Sequence, residues 1–289
     1  MSTSPKAKTG DNDWSPDQYL LFSNARNRPI HDLIAFLGPG YAPARIVDLG
    51  CGPGNSTELL AARFPNAAIT GMDSSPAMLA KARRTLPNTT FTLADVRSYT
   101  PPTTTDLLFA NAVFHWLRHP ERIPTITRLL LTTTTPGQKS EGGGTGGGVL
   151  AFQVPDNYTE PSHLAMRETA ASAGPWQPYF DALAPDEQRP DLDPIESYLD
   201  YYNALKPHCR AVETWTTRYV HVLDDGHDGI VEWVKGTGLQ PFVNVLPAEG
   251  GVREAFVEAY RKRLGEVYPL AEDGKVLLVY PRRFVVAFR

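Results

Sequence analysis

No run of 18 or more apolar residues occurs anywhere in this 289-residue chain, so it offers no segment that would span a bilayer as a helix. Sulfur is scarce too. Cys51 and Cys209 are its two cysteines, too few for a disulfide framework, and no His, Cys, Asp and Glu cluster has metal-site spacing. A reducing, cytoplasmic setting without a metal is expected. There is no excess of positive charge: 28 Lys and Arg stand against 32 Asp and Glu, a net charge of -4. No global field attracts nucleic acid. Residues 1 to 12 are polar, lack the apolar core of a secretory signal and read as a disordered tail. No repeat period is found. What remains is an ordinary soluble composition, 42% hydrophobic and 21% charged, long enough for one large domain with an inserted cap.

Two helices are expected before residue 40. The first follows D-W-S-P-D-Q-Y-L-L-F, with Asp13 or Ser15 as cap and Pro16 in the first turn; the second places Ile30, Leu33, Ile34 and Leu37 on one face and stops before Gly38 and Pro39. From Arg45 short apolar strands alternate with helices. R-I-V-D-L-G, A-A-I-T-G-M-D, T-T-F-T-L-A-D, D-L-L-F-A-N and G-V-L-A-F-Q-V are the strands, and residues 55–63, 76–85 and 120–131 the helices. This alternation is the signature of an α/β fold with a doubly wound, mostly parallel sheet.

The Thr/Gly-rich stretch 132–148 buries too little apolar area to order itself and is expected to be a mobile loop. Past Pro155 the chain becomes helical and aromatic, with Trp176, Tyr179, Phe180, Tyr198, Tyr201 and Tyr202, and reads as a cap. Helices are expected at 229–235 and 252–264. Strands from Val212 and Lys275 bring the sheet to seven. Residues 13–154 would then bind a cofactor, and 155–289 would form the substrate region together with the last strands.

The strongest motif is I-V-D-L-G-C-G-P-G-N, a strand ending in a glycine turn that opens a helix. Gly50, Gly52 and Gly54 carry no Cβ, so a ligand approaches the backbone closely, and the free N–H groups of the helix suit an anionic end. Counting from Gly50 and Gly52, the third glycine of a nicotinamide-binding turn is replaced by Asn55, and the Gly-Lys-Ser/Thr of a P-loop is missing. Asp73 ends the second strand about 20 residues on, where a carboxylate accepts from ribose hydroxyls. Asp95 ends the third, placed to accept from an adenine amino group beside the Val96 N–H. Asn111 ends the fourth.

In V-D-L-G-C-G-P-G-N, G-M-D-S-S-P-A-M, L-A-D-V-R and F-A-N-A-V-F-H-W-L the chain resembles the class I S-adenosylmethionine-dependent methyltransferases. Further blocks, D-W-S-P-D-Q-Y-L-L-F-S-N-A-R-N-R-P, Q-V-P-D-N, V-E-W-V-K-G-T-G-L-Q-P-F and L-V-Y-P-R-R-F-V-V-A, look like the trans-aconitate methyltransferase branch of that family. The insert at 132–148 is longer than that branch leads one to expect, and residues 171–197 show little similarity to it.

The resemblance implies S-adenosylmethionine as cofactor, with Tyr19, Arg28, Gly50, Gly52, Asp73, Ser74, Asp95, Val96 and Asn111 around it. It also implies methyl transfer to a carboxylate of trans-aconitate or a closely related small polycarboxylic acid. A carboxylate of pKa ~4 is already an anion at neutral pH and needs no general base. His115 then reads as a hydrogen-bond donor to the acid, as a structural histidine, or as a base if the substrate is a phenol. His115, Trp116, Arg218, Trp233, Tyr280 and Arg282, with Arg283, are the candidate substrate contacts, since a guanidinium grips a carboxylate bidentately. At most one of Arg26 and Arg28, two apart on a helix, is expected to face the site; by the family's N-terminal block, Arg28 is the candidate to reach the cofactor carboxylate or the substrate, or else forms a surface salt bridge. Arg282 and Arg283, after Pro281, also read as a turn cap. Two other readings stand: methylation of a larger secondary-metabolite acid or phenol, and a cofactor-binding protein without turnover.

Overall fold

The computed structural model describes residues 23–102, 104–133, 147–183, 190, 191 and 193–289. The expected tail, the helix read after Asp13, Tyr19 and most of the Thr/Gly-rich stretch lie outside the described residues.

The first described element is α1 (Ser23–Phe36), and its apolar face lies where the spacing put it: Ile30, Leu33 and Ile34 are buried. Seven strands follow, β1 (Arg45–Leu49), β2 (Ala68–Asp73), β3 (Thr90–Leu93), β4 (Leu107–Asn111), β5 (Val149–Pro155), β6 (Ala211–Leu223) and β7 (Val276–Phe288), in the order 3-2-1-4-5-7-6. The first five are parallel, and β7 runs antiparallel between β5 and β6. α2 (Asn55–Arg63), α3 (Pro76–Thr85) and α4 (Arg122–Leu131) make the crossovers.

Strand alternation divides the core. Val47, Leu49, Leu108 and Ala110 point to a face closed by Ile126, Leu129 and Leu130 of α4. Ile46, Leu107 and Phe109 point to the other, closed by α1 and by Leu60 of α2. Each fully buried large side chain contributes roughly 1.5–3 kcal/mol, which is what holds helices to both faces. Winding reverses between β1 and β4, so a crevice opens at their carboxyl ends.

The remaining helices are α5 (Pro161–Ala171), α6 (Gln177–Asp181), α7 (Tyr198–Leu205), α8 (Gly226–Lys235), α9 (Gln240–Val245) and α10 (Val252–Val267). Most of them need a platform, and a long hairpin supplies it. Pairing of β5 with β7 stops at Pro155 and Arg282, whereas β6 and β7 stay paired to Leu223 and Val276. The overhang carries Leu278 and Tyr280 into a second core with Trp176, Trp233, Phe256 and Tyr260. Pro281, Arg282 and Arg283 therefore lie inside a strand, not in the turn that Pro281 suggested: proline keeps a carbonyl, and that of Pro281 accepts from the Asp156 N–H at 3.0 Å. α9 is a helix that the sequence reading did not contain.

Candidate functional site

A cavity of about 480 Å3 lies between the crevice and the cap. On the sheet side it is lined by Gly50, Gly52, Asp73, Ser74, Asp95, Val96 and Asn111, all of them expected there. Gly50 and Gly52 have φ of 62° and 55°, a region that disfavours residues with a Cβ. A Cβ on Gly50 would stand 2.5 Å from Val113 Cγ2, so this turn sits tightly on the β4 loop. A Cβ on Gly52 would meet nothing within 4 Å; it would project into open space.

Asp73 is fastened to the turn: its carboxylate accepts from the Gly52 N–H at 2.9 Å and the Ser75 N–H at 2.8 Å. Below it, fully buried Asp48 accepts from the Ser56 and Thr57 hydroxyls at 2.7 and 2.6 Å and ties the first turn of α2 to β1. Burial, helped by the Asp73 charge, pushes the Asp48 carboxyl up to about 7, although the hydrogen bonds from both hydroxyls pull the other way. The sequence reading gave Asp48 no role; its place in V-D-L-G was the available signal. Cys51 is 3% exposed, packs with Leu79 and Phe91, and burial raises its thiol, so it behaves as a small apolar residue.

Asp95 does not stand alone at the end of β3. Arg97 grips it through Nε at 3.0 Å to both oxygens, and this hydrogen bonding holds the carboxyl below its usual range. A glycine cradle with one open Cβ direction, carboxylates at the ends of neighbouring strands and an enclosed volume fit the S-adenosylmethionine that the sequence implies.

The cap side differs in charge. His115, Trp116, Trp233, Tyr280 and Arg282 line it as expected, and Arg26, Gln153 and His163 join them. Arg26, not Arg28, faces the cavity. It is buried, donates to the Trp233 carbonyl at 2.8 Å and lies 5.4 Å from the Trp233 ring. Arg28, two residues on, turns outward over Tyr219 at 5.6 Å. Arg218 is also absent from the lining: alternation along β6 buries Tyr219, while exposed Arg218 pairs with Glu160 at 3.2 Å. The same alternation splits Arg282 from Arg283, which pairs with Asp156 at 2.6 Å and lies over the Tyr198 ring at 3.6 Å.

His115 sits in a 3-10 turn (Phe114–Trp116) held by buried Arg122, which donates to the Phe114 and Leu117 carbonyls at 3.0 and 2.9 Å and pairs with Glu196 at 2.8 Å. The His115 ring is buried, and its Nδ1 has no hydrogen-bond partner among the described residues. Burial, then the charges of Arg282 and Arg122, hold its pKa well below the ordinary value. His163, on α5, is lowered to about 3 by burial and then by Arg167 and Arg282. His221, behind Trp233, is lowered to about 4 by burial and then by Arg282, Arg28 and Arg26. Burial first, and arginine charge second, keep these imidazoles neutral at pH 7. No metal-binding group of His, Cys, Asp or Glu occurs among the described residues, and no helix there is long and apolar enough to cross a membrane.

A family model described as a methyltransferase domain matches residues 46–137. The chain is 48% identical over 278 residues to the trans-aconitate 2-methyltransferase of Methylobacterium nodulans, covering 96% of this chain and 98% of that one. It is 46% identical over 277 residues to that of Rhodopseudomonas palustris strain BisB5, covering 96% and 99%. Among solved structures, the YcgJ protein of Bacillus subtilis superposes with a TM-score of 0.53 at 10% identity, over 90% of this chain and 97% of that one, a likeness of fold.

Proposed function

The chain belongs to the family of trans-aconitate 2-methyltransferases, enzymes of the S-adenosylmethionine-dependent class, and from that premise we propose how its cavity esterifies a small polycarboxylic acid. S-adenosylmethionine, when bound, supplies a methyl group on a positively charged sulfur. Asp73 would hold the ribose, Asp95 with Val96 the adenine, and Gly50, Gly52 and Asn111 the methionine portion. The acid, trans-aconitate by the family's name, belongs on the cap side.

The observation that carries this reading is a pair of arginines on that side: Arg26 and Arg282 stand in its walls, and after burial, the larger cause, Arg282 helps keep His115, His163 and His221 neutral. A polyanion is the complement of such a field, and a guanidinium fork suits a carboxylate. Arg26 and Arg282 orient the acid, and Trp116, Trp233 and Tyr280 exclude water around it. The nucleophile is a carboxylate oxygen that is already ionised, so positioning does the chemistry, an effect that reaches roughly 7–11 kcal/mol in well-oriented reactions. His115, neutral, donates or accepts one hydrogen bond and takes no proton.

His115→Ala is therefore expected to lower kcat with trans-aconitate by less than about tenfold, a lost hydrogen bond of about 1 kcal/mol. Between about pH 6 and 9 the unaltered enzyme and His115→Ala should share one kcat profile, because neither a carboxylate of pKa ~4 nor a depressed imidazole titrates there and the Asp48 carboxyl, near 7, is common to both. A rising limb near neutrality that vanishes in the variant, or complete loss of turnover with cofactor still bound, contradicts the base-free mechanism.

A further inference from the structure

Gln153 is the polar residue of β5, a strand buried along its whole length, and it is only 1% exposed. The register explains where its amide goes. Asn111 is its partner on β4, Phe284 its partner on β7, and Arg282, two residues from Phe284, shares that face. The Gln153 Nε2 donates to Asn111 Oδ1 at 2.5 Å, and its Oε1 accepts from Arg282 Nη1 at a longer 3.4 Å. One amide thus joins a residue of the sheet side of the cavity to a residue of the cap side.

The chemistry of this bridge is selective. Arg282 only donates, and Asn111 presents its oxygen, so the group between them needs an acceptor at one end and a donor at the other. An amide meets that demand; a carboxylate, an amine or an apolar chain does not. The bridge also fixes the polarity of Asn111, whose Oδ1 faces β5 and whose Nδ2 is the end turned away from it.

We propose that Gln153 is a positioning residue that couples the two halves of the site, so that a cofactor-side ligand held at Asn111 and an acid held at Arg282 bind with positive cooperativity. This rests on the placement of the acid on the cap side argued above. The Asn111 end is already made and the Arg282 end is long, so a ligand that draws on either residue polarises and tightens the same amide for the other; the coupling is reciprocal by linkage.

The test is calorimetric titration of the full-length protein with trans-aconitate, with and without saturating S-adenosylhomocysteine. In the unaltered protein the nucleoside is expected to tighten acid binding by at least about fivefold. Gln153→Met should bring that ratio close to one. Gln153→Glu keeps an acceptor for Arg282 but has no donor for Asn111 and sets a second anion against Arg282, so it should weaken acid binding with or without the nucleoside and lose the same coupling. S-adenosylhomocysteine affinity in each variant reports that the fold is intact. A ratio near one in the unaltered protein, or an undiminished ratio in Gln153→Glu, overturns the coupling role with acid binding still standing. Absence of acid binding in the unaltered protein, with S-adenosylhomocysteine bound, overturns the acid site and the coupling together.

Discussion

Replacing Arg282 by methionine is expected to raise the dissociation constant for trans-aconitate by about 100-fold, measured by calorimetry with S-adenosylhomocysteine present. The reason is local. Arg282 is 8% exposed, its guanidinium lies 5.0 Å from the Tyr280 ring, and, after burial, its charge is a cause of the lowered pKa of three histidines. A buried charge-assisted contact to a carboxylate contributes about 3 kcal/mol when its partner is truncated, which is about two powers of ten in affinity. Methionine keeps most of the packing, so the loss reads the charge. S-adenosylhomocysteine affinity alone should change by less than about threefold, because the sheet side keeps its glycines and carboxylates. An unchanged acid affinity would remove Arg282 from the substrate site.

Asp73→Ala is expected to weaken S-adenosylhomocysteine binding by about 100-fold or more. Two effects act in one direction. The carboxylate proposed for the ribose is gone, at a charged hydrogen-bond contribution of about 1.5–3 kcal/mol, and the Gly52 and Ser75 N–H groups lose their acceptor. Asp73→Asn keeps one acceptor oxygen without the charge and should fall between the two. Equal affinity in Asp73→Ala and the unaltered protein would reject the assignment.

The sheet side of the site was legible in the sequence because its residues end strands. A polar residue closing a short apolar run lies at the crevice whatever the rest of the fold does, and Asp73, Asp95 and Asn111 all line the cavity. The α/β class and the five parallel strands followed from the same alternation of strand and helix.

The cap side was legible only in pairs. Helical spacing said that Arg26 and Arg28 diverge, but the choice between them depends on the Trp233 carbonyl, 207 residues away, which Arg26 meets. Strand alternation likewise separated Arg218 from Tyr219 without saying which is buried; α1 decides that, since Tyr219 joins its apolar face and donates to Asp32 on it. His163 carried no sequence signal, since only the packing of α5 brings it to the cavity. Gln153 carried one, a lone amide in an apolar strand, that the reading passed over.

Methyl ester formation on a small polycarboxylic acid without a base is the reaction that the cavity is proposed to perform. Its most direct test is transfer of a labelled methyl group from S-adenosylmethionine to a panel of aconitate isomers, citrate, isocitrate, isopropylmalate and simple phenols, with products identified by mass spectrometry. A base-labile monomethyl ester formed chiefly from trans-aconitate is expected. Label appearing on the phenols, or in no acid while the cofactor remains bound, would contradict it.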